Sequence, residues 1–185
     1  MIPQEQDAKK LWAKYSVPAN KQTHLLLVSV VAKFLAERLT QHTPTIQINI
    51  PLVVAAALLH DIDKNAVKLP GEKHPDTAVR LLKEEGMEEV ADLIKTHPLH
   101  LILDPKTAPK KWEEKILFLS DKMVKYEIIS VDKRFDLWKS EPLSEKSRKQ
   151  LKGAYPKVIE LEKEIFTAAG VTRADMTEFA HTVYT

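Results

Sequence analysis

A chain of 185 residues with 44% hydrophobic content is long enough for one domain with a real core and too short for a second independent one. Its 28 basic and 26 acidic residues leave a net charge of only +2, too small a surplus to point to a nucleic-acid partner. The absence of cysteine excludes disulfides, thiolate metal sites and cysteine nucleophiles, so any site must use His, Asp, Glu, Ser, Thr or Lys.

The first residues carry neither a basic stretch nor an apolar run, and no uninterrupted apolar run approaches the length of a bilayer span. A soluble cytoplasmic protein without a membrane partner is expected. Four glycines against eleven prolines, with long stretches at the helical apolar period, predict an all-α helical bundle without repeats.

Ala8, Leu11, Trp12 and Tyr15 mark a first amphipathic helix, which Pro18 ends. A second helix is predicted over about 20–39, with His24 in line with Val28, Val31 and Leu35 and therefore pointing inward. Ile46, Ile48 and Ile50 alternate with polar residues too briefly for a sheet and read as a loop entering the next helix. That helix is capped by Asn49, tolerates Pro51 in its first turn, and is apolar on every side from Leu52 to Leu59. It delivers His60, Asp61, Asp63 and Lys64 to one place, where unpaired burial would be costly.

A loop with Pro70 and Gly71 precedes a short helix over 76–85 that Gly86 stops; His74 lies just ahead of its positive end. A helix over 88–96 carries Val90, Leu93 and Ile94 on the same face as His97, and Pro98 stops it. Pro109 suits the first turn of a helix over 110 to about 128, in which Leu117, Phe118, Val124 and Ile128 flank Asp121. The remaining chain reads as helices over 131–139, 144 to about 153, 156–169 and 172–184, the last with capping-box-like Thr172 and Asp175. This part, about 140–185, reads as a structural extension of a core over about 20–135.

A single inward histidine is most often a hydrogen-bonded core residue, Asp121 has a salt bridge to a nearby lysine as its plainest explanation, and Asp63 with Lys64 can be a surface pair. The His60-Asp61 doublet carries more, because adjacent imidazole and carboxylate at the end of an apolar helix can meet on one cation.

The segment Ala56-Ala57-Leu58-Leu59-His60-Asp61-Ile62-Asp63-Lys64 resembles the signature of the HD superfamily, and Leu117-Phe118-Leu119-Ser120-Asp121-Lys122 is similar to that family's last motif. The resemblance covers about residues 20–135. It implies a helical bundle in which His24, His60, Asp61 and Asp121 hold a divalent metal. His74 and His97 match the additional ligands of the family's binuclear branch, which includes symmetrical diadenosine-tetraphosphate hydrolases, with His100 an alternative to His97.

Imidazole and carboxylate donors suit iron or manganese, and also nickel, cobalt or zinc, better than magnesium or calcium alone, with one or two ions per chain. The expected activity is metal-dependent phosphohydrolysis of a nucleotide, a dinucleoside polyphosphate above others, with Asp61, Asp63 and Lys64 as the catalytic set. Asp63 would orient water and Lys64 would neutralise phosphate charge. A one-metal nucleoside 5′-monophosphatase and a non-catalytic nucleotide-binding module are the alternatives, and nothing in the sequence fixes an oligomeric state.

Overall fold

The most apolar segment of the chain becomes its most enclosed helix. In the computed structural model, which describes residues 1–184, helix α3 (Ile50–Leu59) buries Val53, Ala55, Ala56, Ala57, Leu58 and Leu59. Its first turn is capped as the sequence predicts, the Asn49 side chain accepting from the Leu52 backbone N–H at 3.1 Å. Helix α2 (Ala19–His42) lies along it and buries a stripe that runs from His24 through Val28, Val31 and Leu35 to Leu39. Helix α1 (Glu5–Lys14) closes over α3, and the Trp12 indole N–H donates to the Leu58 carbonyl at 2.8 Å. That bond satisfies an end carbonyl of α3 where the helix stops and the His60-Asp61 turn begins.

Helices α4 (Asp76–Glu84) and α5 (Glu88–Ile94) pack on one another, and α5 also packs on α3. A 3₁₀ turn, Leu99–Leu103, follows Pro98 where the sequence suggested only a stop. Helix α6 (Trp112–Lys122) is capped by Glu114, whose carboxylate accepts from the Lys110 and Lys111 backbone N–H groups, and it packs against α2 and α3. It ends six residues short of the predicted position 128. Val124 and Ile128 face each other in an isolated antiparallel bridge, so both remain buried although the chain has left the helix.

Helix α7 (Val131–Lys139) is followed by α8 (Glu145–Ala169), which is one helix where two were predicted, and by α9 (Arg173–Tyr184). Pro156 sits inside α8 on its exposed side, while Leu151, Ala154, Val158, Leu161, Ile165 and Ala169 form an unbroken buried stripe. Packing of that stripe on α2, α6 and the 3₁₀ turn outweighs the breaker. Gly153 belongs to the same contact: a Cβ there would stand 3.2 Å from Leu103 Cδ2, so glycine lets the turn approach the helix closely.

Nine α-helices therefore form the described residues, with no strand, and the all-α expectation holds. No helix among them is long and apolar enough to cross a membrane.

Candidate metal centre

Five elements end or pass at one point inside the bundle. Helix α2 contributes His24 and the turn after α3 contributes His60, Asp61 and Asp63; His74 precedes α4, His97 follows α5, and Asp121 lies in the last turn of α6. The turn after α3 is tight, with backbone bonds Ile62 N–H to Leu59, Lys64 N–H to Asp61 and Ala66 N–H to Asp63, and it keeps residues 60–63 buried. Fixing polar side chains on rigid elements in this way sets their geometry before any ligand arrives.

The imidazoles are oriented from behind. His60 Nδ1 lies 2.9 Å from the Ala57 carbonyl, and His97 Nδ1 is likewise held by the Ile94 carbonyl, so each Nδ1–H donates and each Nε2 is turned into the centre. His74 Nδ1 donates to both oxygens of Asp63 at 3.0 Å, which frees its Nε2 in the same sense. His74 Nε2 and His97 Nε2 then stand 2.8 Å apart, and His60 Nε2 is buried with no hydrogen-bond partner. Imidazole nitrogens facing one another at this distance can share a proton or ligate a common cation.

Two carboxylates supply the negative charge. Asp61 Oδ1 is 3.5 Å from His74 Nε2 and 4.0 Å from both His60 Nε2 and His97 Nε2. Asp121 Oδ1 is 3.0 Å from His24 Nε2 and 3.5 Å from His60 Nε2. The donors fall into overlapping groups able to hold an ion: His24, His60 and Asp121; His60, Asp61 and His97; Asp61, Asp63 and His74. His60 and Asp61 are the members shared between groups.

Charges around these groups set their protonation. Burial alone would raise the Asp61 carboxyl, but His60, Lys64 and His97 outweigh it and hold the group below the usual carboxylate range. Asp121 behaves alike: burial is overcome by Lys122, His24 and His60. For His60, burial opposes the charged form, yet Asp61 and Asp121 prevail and its pKa rises. Burial lowers His97 well below its ordinary value, and the nearby charges of His60 and Lys122 act in the same direction, so His97 is the neutral form that can ligate.

All six expected ligands, His24, His60, Asp61, His74, His97 and Asp121, converge, and His97 rather than the exposed His100 turns inward. Asp63 is only 2% exposed and serves as the orienting partner of His74, a different position from the water-facing one expected of it. Lys64 pairs with Asp61 Oδ1 at 2.9 Å rather than with Asp63.

Two further lysines stand here as well. Lys21 Nζ is 3.5 Å from Asp61 Oδ2; its place one turn before His24 on the same helix face was the available signal. Lys122 is buried, with Nζ donating to Asp121 Oδ2 at 2.7 Å and to the His97 carbonyl, so it fixes which Asp121 oxygen faces His24. The salt bridge foreseen as the plain explanation of Asp121 therefore exists, and it uses the oxygen opposite the histidines. A family model described as HD domain matches residues 22–125 of the chain. No curated protein and no solved structure matches it significantly.

Proposed function

Because the chain belongs to the HD-domain family, whose members are generally metal-dependent hydrolases, we propose that it is a metal-dependent phosphohydrolase acting on a nucleotide, with dinucleoside polyphosphates as the preferred substrate class. The observation that carries this reading is the convergence of the Nε2 atoms of His60, His74 and His97 around the Asp61 carboxylate, beside the His24, His60 and Asp121 group. His24, His60, Asp61 and Asp121 would hold one ion; His74 and His97, sharing Asp61, would hold a second. Iron or manganese suits these donors. When bound, such ions bring the pKa of water toward neutrality and polarise a phosphoryl oxygen.

The chain's own residues do the rest. Asp63 keeps the His74 ring in one tautomer and one orientation, as the Ala57 and Ile94 carbonyls do for His60 and His97. Lys122 holds Asp121 from behind. Lys64, exposed at the rim and drawn to Asp61, is placed to exchange that carboxylate for a phosphate oxygen and to stabilise charge on the transferring group.

The test is turnover of a panel of phosphorylated compounds with manganese, iron, nickel or cobalt, read by chromatography of the nucleotide products as well as by phosphate release, because cleavage of a dinucleoside polyphosphate yields two nucleotides and no orthophosphate. Turnover that His60→Ala and Asp61→Ala abolish, with the helical spectrum retained, is the expected result; no turnover of any compound would leave a binding module instead.

A further inference from the structure

Helix α7 carries a buried charge with no counter-ion. Arg134 is 9% exposed, its Nε and Nη1 atoms have no hydrogen-bond partner, and it forms no ion pair among the described residues. Its guanidinium lies over the Trp138 ring, 4.3 Å from Cζ to the ring centroid. Stacking of this kind fixes the plane of the group, whose Nε and Nη1 donors are enclosed without a partner. Burial presses its pKa below the ordinary value while the charges of Asp121, Glu141 and Asp61 act in the opposite sense, so the guanidinium feels the carboxylates of the metal centre without touching them.

An unpaired cation that has left water is among the costlier things a fold can contain. A chain gains from keeping one where an anion arrives, and a guanidinium fork matches the oxygens of a phosphate. The metal centre already provides for one phosphoryl group.

Trp138 has a second role. With Leu99, Leu143 and Leu151 it walls a cavity of about 300 Å³ that also presents His100, Gln150 and the carboxylate of Glu141. Burial lowers the His100 pKa, and the charges of Lys122, Lys146 and His74 act in the same direction. An apolar recess with a few polar groups, sharing a wall with a buried guanidinium, suits a planar organic group attached to a phosphate chain.

We infer that Arg134 is an anion-binding residue for a second phosphate of the substrate, one not held at the metal centre, and that it selects polyphosphorylated compounds over monophosphates. This rests on the phosphohydrolase reading and narrows it. Trp138 positions the guanidinium, and the adjoining cavity takes part of the organic moiety.

The experiment is calorimetric titration of the metal-loaded protein with inorganic phosphate and with tripolyphosphate, manganese being kept in excess over ligand so that the protein retains its ions. Wild type should bind tripolyphosphate more tightly than phosphate. Arg134→Gln should lose on the order of tenfold or more in tripolyphosphate affinity. Its phosphate affinity should change less than twofold, and Arg134→Lys should recover part of the loss. Metal content should be unchanged, and the melting temperature of Arg134→Gln should equal or exceed that of wild type, because the variant removes an uncompensated buried charge. Equal weakening of both ligands, no weakening, no preference for tripolyphosphate in wild type, or a melting temperature lowered in both variants would overturn the inference. Arg134-dependent tripolyphosphate binding without turnover of any phosphorylated compound would refute the hydrolase reading alone.

Discussion

Asp61 faces more nitrogen groups than one carboxylate can pair with: three imidazoles and Lys64 on Oδ1, and Lys21 on Oδ2. Such crowding is wasteful for a structural acid and natural for one that shares its charge among metal ions. Behind it, Asp63 acts only through His74, so Asp63→Ala should weaken metal binding by about 10–100-fold, the usual penalty for removing an outer partner of a ligating histidine. Metal titration checks this; unaltered affinity would make Asp63 a core residue without a function in the centre. Lys64→Ala should behave in the opposite way, lowering turnover on the best substrate while metal content stays unchanged, since an ammonium cannot ligate a cation. Unchanged kinetics would leave Lys64 as an exposed partner of Asp61 and nothing more.

Helix periodicity and the His-Asp doublet made His24, His60, Asp61, His97 and Asp121 readable from the sequence, since each lies on an apolar face or at the end of an apolar run. His74 was readable only through the family resemblance, because its loop has no period. Lys122 and Arg134 were not readable, for charged side chains on amphipathic helices are solvated by default and tertiary packing alone shows them buried. Among the elements, the early end of α6 and the continuity of α8 escaped for the same reason. Val124 and Ile128 satisfy an apolar stripe equally well from a turn, and Pro156 is a breaker only where no packed face holds the helix together. Pro156→Ala should therefore stabilise the protein by about 2–2.5 kcal/mol, the interior-proline penalty of roughly 3 kcal/mol less the entropy that proline removes from the unfolded chain. A lower melting temperature would mean that α8 depends on the bend that proline introduces.

Across the whole molecule, the centre joins α2 and α6 to the ends of α3 and α5 and to the start of α4, so ions held there tie together elements that otherwise meet largely through apolar packing. A chelator should thus lower the melting temperature of wild type, and by more than it lowers that of His60→Ala, because only a protein that holds the ion loses its contribution to stability. Equal shifts would place the metal outside the bundle. The central claim is that six side chains form a centre for two ions, and the metal-to-chain ratio measures it directly. Wild type supplied with iron or manganese should carry close to two ions per chain, falling toward one in His74→Ala and in His97→Ala, with most activity lost. A ratio of one in wild type, with His74→Ala fully active, would contradict the account and point to a one-metal phosphatase of nucleoside monophosphates.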